Sequence, residues 1–257
     1  MSIAAYAPRE ATRAIFRHAF PRRRARLILT RSATELESIF KRELIDAVVL
    51  DAGHAGDDTW RAAALAREFP SAPFFGFAPC RGADAPAIAR CAACGFADVL
   101  AESVDDGVVR ELVFHESFTA RFSRAMAAPP PSLGLDAPLQ VDTWHAVVAH
   151  AGRTVRTDAL ARALGLTREH LSRRFASGGA PNLKRVVDLV RLIAAAELAK
   201  NPGYDVSDVA AVLEFASPSH LATTTQRVAG AKPASLARLR AVDLIRRFAD
   251  GRGRSRS

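Results

Sequence analysis

The first 115 residues alternate five short apolar runs with four amphipathic stretches, and no other feature restricts the fold as much. The runs are "SIAAYA" (2–7), "RLILT" (26–30), "DAVVLD" (46–51), "PFFGFA" (73–78) and "ADVLA" (97–101). Between them lie "REATRAIFRHAF" (9–20), "SATELESIFKRE" (32–43), "DDTWRAAALAREF" (57–69) and "DAPAIARCAAC" (84–94). In the second of these, Leu36, Ile39 and Phe40 recur at spacings of three and four, which makes an apolar stripe along a helix. Strands apolar on both faces, alternating with such helices, predict a doubly wound parallel sheet covered on both sides.

From about residue 125 the composition shifts to "MAAPPPSLGLDAP", a stretch that proline keeps out of helix interiors and sheets. Beyond it the sequence is helical up to Phe248, and the final "GRGRSRS" has no apolar residue. The predicted organisation is an α/β doubly wound domain over 1–125, a proline-rich linker over 126–138, an all-α domain over 139–248, and a disordered basic tail over 249–257 whose arginines contact phosphates nonspecifically.

Charge separates the two halves. Of the formal +9, residues 1–138 contribute nothing, with 17 Lys/Arg against 17 Asp/Glu, while residues 139–257 carry 19 against 10. A basic module for a polyanion joined to a neutral module with another task follows from that asymmetry. No apolar run approaches the ~20 residues of a membrane span, and "MSIAAYAPRE" lacks the layout of a signal peptide; a cytoplasmic protein is expected. Cys80, Cys91 and Cys94 fit a reducing compartment. The "CAAC" at 91–94 has no fourth ligand at metal-site spacing, so these cysteines are read as packing residues and no metal or cofactor is expected.

Five β/α units with Asp51 closing the third strand resemble the receiver domain of two-component response regulators, over residues 1–118. Asp46 with "VVLD", and "CGFADVL" with Gly95 and Asp98, carry the resemblance. It implies a phosphoacceptor at Asp51, and phosphoryl transfer to a carboxylate requires Mg²⁺ held by further carboxylates. The acidic pair that receivers keep after the first strand is Ala7 and Pro8 here, with Glu10 the nearest acid. The phosphate-sensing hydroxyl and the pairing lysine fall on Ala78 and Glu102. With three of four chemical parts missing, the domain is expected to be a degenerate receiver and Asp51 a vestige. Asp57 and Asp58 are expected on a solvated loop.

The basic half begins with "VRTDALARALGLTREHLSRRF" (155–175). Thr157 is placed to cap a helix carrying Leu160, Ala161 and Leu164, Gly165 to turn the chain, and Thr167 to cap a second helix with Leu171 and Phe175 inside. Helix, glycine turn and helix is a helix-turn-helix, whose second helix enters the major groove. Arg168, Glu169, Ser172 and Arg173 then face outward with groups suited to base edges and phosphates. The pattern recurs at 205–229. There Asp205 caps one helix, Ser217 and Pro218 start the next, and Ser219, His220, Thr223, Thr224 and Arg227 are read as its outward face. The alanine-rich "NLKRVVDLVRLIAAAELAKN" (182–201) is a strongly helical connector.

With "LA..LGLTREHLSRRF", then Arg191, Ala195 and Leu198, then "DVSDVA...EFASPSHL", Gly230 and Pro233, residues 140–240 resemble the tandem helix-turn-helix domain of AraC/XylS transcription regulators. Departures lie in the second unit, where Glu214, Leu221 and Thr225 replace a glycine and two aromatics, so base readout is expected chiefly from the first. The resemblance implies a bacterial, non-enzymatic transcription regulator on nucleoid DNA, binding double-stranded DNA, with RNA polymerase and a second copy of the chain as candidate partners. A phosphorylation-switched regulator using Asp51, and a protein-interaction module with decayed DNA binding, stand as alternatives. His18, His54, His115, His145, His150, His170 and His220 form no nucleophile or zinc signature.

Overall fold

β-Branched, aromatic and small apolar residues fill five strands: β1 (Ser2–Tyr6), β2 (Arg26–Thr30), β3 (Ala47–Asp51), β4 (Phe74–Ala78) and β5 (Asp98–Ala101). In the structure, a computed structural model that describes residues 1–254, all neighbours pair parallel in the order β2-β1-β3-β4-β5. This is the flavodoxin-like doubly wound order, which reverses direction between β1 and β3.

Helices α1 (Glu10–Ala19), α2 (Ala33–Phe40), α3 (Asp57–Glu68), α4 (Ala85–Ala93) and α5 (Asp106–Glu116) cover the sheet. Strand periodicity of two sorts the core into two layers. Tyr6, Val48, Leu50 and Phe74 pack with Leu36, Phe40 and Phe69 on one face. Ile3, Val49, Phe75 and Phe77 pack with Phe16, Phe20 and Val113 on the other. Phe40 stacks on Phe69 with centroids 4.2 Å apart and Phe16 meets Phe77 edge-on at 5.0 Å; each buried ring contributes roughly 1.5–3 kcal/mol.

Asp46 is wholly buried, yet it is satisfied. Its carboxylate accepts the Ser2 N–H at 2.6 Å and the Thr119 N–H at 3.2 Å, tying the start of β1 to the chain beyond α5. Cys91 lies in the core against Gly76, where a β-carbon would stand 3.1 Å from its sulfur. Burial first, and Cys94 second, push its thiol up to about 11. Among the described residues no three His, Cys, Asp or Glu side chains converge to hold a metal, and no helix is long and apolar enough to cross a membrane.

The chain divides into two units, Met1–Arg121 with Asn201–Tyr204, and Phe122–Lys200 with the chain from Asp205. The second is helical: after α6 (Phe118–Ala125), which spans the boundary, come α7 (Pro138–Val148), α8 (Thr157–Ala163), α9 (Arg168–Phe175), α10 (Leu183–Leu198), α11 (Val206–Val212), α12 (Pro218–Ala229) and α13 (Ala241–Arg254). The stretch read as a linker packs inside this unit. Leu133 and Leu135 are buried, and the Trp144 Nε1–H donates to the Met126 carbonyl at 2.9 Å. Proline denies this stretch a ladder of backbone bonds, not burial. Helix α13, anchored by Leu244 and Phe248, continues past the end read from the apolar pattern as far as Arg254, because backbone bonding propagates without an apolar side chain. The rest of the basic tail lies outside the described residues.

Candidate nucleic-acid interface and the Asp51 site

Helices α8 and α9 form the first helix-turn-helix around buried Leu160, Ala161, Leu171 and Phe175. Gly165, at φ +69°, makes the turn. Thr167 caps α9, its Oγ1 accepting the His170 N–H at 3.2 Å. Thr157 does not cap α8: it is the first helical residue, and Arg156 holds the cap position with its side chain on Asp158 at 3.0 Å. Asp158 supplies the negative charge that a helix start favours. Arg156 first, then Arg162, hold its carboxyl below the usual range. Arg168, Glu169, Ser172 and Arg173 are exposed along one stretch of α9, and Arg174, which the apolar spacing alone did not single out, is exposed beside them.

In the second unit, Asp205 and Asp208 form a reciprocal cap on α11, at 2.7 and 3.1 Å. Ser217 caps α12 by accepting the His220 N–H at 3.1 Å, with Pro218 at the first helical position. Ser219, His220, Thr223 and Arg227 are exposed as expected, joined by Gln226. Thr224, expected on the outward face, is buried. It is 1% exposed, because Leu221, Thr224, Thr225 and Val228 stand at i, i+3, i+4 and i+7, the spacing of a buried stripe. Thr225, standing where the resemblance has an aromatic, is buried with its hydroxyl donating to the Leu221 carbonyl at 2.8 Å.

The turn between α11 and α12 explains another departure. Glu214 occupies the glycine position of the resemblance and sits at φ +56°, in the left-handed region. Buried Arg191 on α10 braces this turn, donating to the Leu213 carbonyl at 2.7 Å and the Glu214 carbonyl at 3.2 Å, with its guanidinium 4.0 Å over the Phe215 ring. Burial lowers the Arg191 pKa, against the raising influence of Asp188 and Glu214. Replacing Glu214 with glycine removes the left-handed penalty and is expected to stabilise the chain by about 1 kcal/mol, read as a higher urea midpoint; an unchanged or lower midpoint contradicts it.

A polar cleft of about 670 Å³ lies along α10, between the starts of α8 and α9 on one side and α12 on the other. Arg168 of α9, Lys184 and Asp188 of α10, and His220, Thr223 and Arg227 of α12 line it, with Thr224 in its wall. Arg227, 48% exposed, is tethered to Asp188 at 2.8 Å. The Thr223 hydroxyl donates to the Ser219 carbonyl at 3.0 Å, leaving its oxygen to accept. His220 packs edge-on to Phe215 at 5.6 Å, its Nδ1 3.4 Å from the Ala216 N–H.

In the N-terminal unit, Asp51 ends β3 beside the end of β1, where the strand order reverses. It is 1% exposed. Arg9, in the cap position before α1, grips it with both arms of its fork: Nε donates to Oδ2 at 2.8 Å and Nη2 to Oδ1 at 2.7 Å. The Thr12 hydroxyl donates to Oδ2 at 2.8 Å. Glu102, on the lysine position of the resemblance, lies 3.7 Å from Arg9. The bond to Asp51 is the main cause raising the Arg9 pKa; burial opposes it and the Asp51 charge adds to it. Glu10 is engaged elsewhere, by Arg17 at 2.9 Å and by Arg13, which hold its carboxyl at about 2. Asp58 accepts the Tyr6 hydroxyl at 3.1 Å and the Ala33 N–H at 3.0 Å, so it is a structural group. His54 is exposed.

A family model described as a helix-turn-helix domain matches residues 160–238. No curated protein sequence matches the chain. Among solved structures the chain is similar to a response regulator from Thermotoga maritima, at 18% identity and a TM-score of 0.38, covering 44% of this chain and 93% of that one. It is similar to full-length FixJ from B. japonicum at 13% identity and a TM-score of 0.40, covering 79% and 97%. A third is RcsB from Salmonella enterica serovar Typhimurium bound to a promoter, at 13% identity and a TM-score of 0.35, covering 73% and 98%. By its strand order and the matched helix-turn-helix region, the chain joins a flavodoxin-like α/β domain to an all-helical region with a helix-turn-helix domain.

Proposed function

We propose that this protein is a sequence-specific, non-enzymatic DNA-binding transcription regulator of the AraC/XylS type, acting in the bacterial cytoplasm on nucleoid DNA. The observation that carries the reading is that α9 and α12, two capped helices of one unit, expose polar and basic side chains, with Arg168 of α9 and His220, Thr223 and Arg227 of α12 lining one polar cleft. Affinity comes mainly from Arg and Lys contacts with phosphates, and specificity from base edges. Arg168, Glu169, Ser172 and Arg173 are the base readers. Ser219, His220, Thr223 and Arg227 mainly grip backbone, since Thr223 and Arg227 are already oriented by partners within the unit. The N-terminal domain serves regulation, with a second copy of the chain and RNA polymerase as partners.

Selection of bound duplexes from a random DNA pool tests this, with the full-length protein at fixed near-physiological salt. An enriched motif is expected, and its affinity should fall steeply as salt rises. Two elements about one helical turn apart mean that both helices read bases; one short element means that α12 is a clamp. Failure of any motif to enrich removes the regulator reading.

A further inference from the structure

We propose that Arg9 is a resident counter-cation that fixes Asp51 as a structural anchor, so that the N-terminal domain is held in one state by its own side chain and not by phosphorylation. Phosphoryl transfer to a carboxylate needs a free oxygen approached in line and a cation to offset the negative charges. Here both oxygens are already engaged: Oδ1 accepts from Arg9 and Oδ2 from both Arg9 and Thr12. The approach is closed as well, since Asp51 is 1% exposed.

The clamp is well built for permanence. A guanidinium stays protonated at any physiological pH and its planar fork matches both carboxylate oxygens. Pro8 fixes the backbone between β1 and the cap of α1, which sets Arg9 over the end of β3. Glu102, at the end of β5, stands 3.7 Å from the same guanidinium. One side chain therefore links three strand ends at the point where a doubly wound sheet ordinarily holds its ligand. The inference concerns regulation of the proposed DNA reader, but its chemistry is tested independently of DNA binding.

The test uses the full-length chain with acetyl phosphate and Mg²⁺, followed by intact mass and peptide mapping. The wild type is expected to gain no phosphoryl group on Asp51; a phosphoryl adduct there, absent from Asp51→Asn, overturns the proposal. In parallel, Arg9→Met is expected to lower Tm by roughly 5–10 °C. In the Arg9→Met, Asp51→Asn double variant the loss should be clearly smaller than the sum of the singles, because the stranded charge is gone. Additive losses overturn the anchor role. Should Arg9→Met yield no folded protein, Arg9→Lys, which keeps the charge and loses the fork, carries the same comparison. If these results hold while no DNA motif enriches, the clamp stands and the regulator reading alone fails.

Discussion

Arg191→Met is expected to destabilise the helical unit by about 3 kcal/mol, visible as a lower urea midpoint. The Met side chain keeps much of the apolar stem but leaves the Leu213 and Glu214 carbonyls, now bonded at 2.7 and 3.2 Å, without their charged donor. Each bond to a charged group is worth about 1.5–3 kcal/mol. Release of the buried guanidinium from its desolvation penalty offsets part of the loss, which keeps the net effect near the lower end of two such bonds. The contact over Phe215 at 4.0 Å goes too. Because those carbonyls belong to the left-handed turn before α12, that helix should lose its fixed entry. An unchanged midpoint would show that the turn holds itself without Arg191.

Arg173→Ala is expected to weaken binding to the preferred duplex by about 5- to 150-fold, the 1–3 kcal/mol of a base contact, while barely changing affinity for unrelated duplexes. Arg227→Ala should behave differently. Arg227, tethered to Asp188 on the cleft wall, is the proposed phosphate contact, so its loss should weaken all sequences alike and reduce the salt slope by about one. Fluorescence anisotropy titrations with matched and scrambled duplexes at several salt concentrations separate the two. If Arg173→Ala weakens every duplex equally, the base-reading role assigned to α9 is wrong.

The layered sheet and the helical caps, that of α8 excepted, are legible in the sequence because they are local. Thr167, Asp205 and Ser217 each bond an amide three residues on, and the strands announce themselves by two-sided apolarity. Thr224 was misplaced although its signal was present: Leu221 three before it and Val228 four after it mark the buried stripe. The resemblance points to Ala7 and Pro8 in place of an acidic pair, with Glu10 the nearest acid, and says nothing of Arg9 between Pro8 and Glu10, whose guanidinium binds Asp51. Arg174, Lys184 and Gln226 carry no such signal, because exposure on a helix that carries several polar and charged residues does not single out any one of them.

The sequence by itself determined the strand order's ingredients, the two helix-turn-helix units and the position of Asp51 at a strand end, since periodicity and capping follow from backbone geometry within a few residues. Only the tertiary structure decided what Asp51 touches and what orients Arg227. Arg9 reaches Asp51 across 42 residues and Arg227 reaches Asp188 across 39. Such pairs exist because β1 lies beside β3 and α12 beside α10. Which long side chain then fills the space between two elements is set by packing and by the demand that buried charge be paired, and no local pattern encodes it.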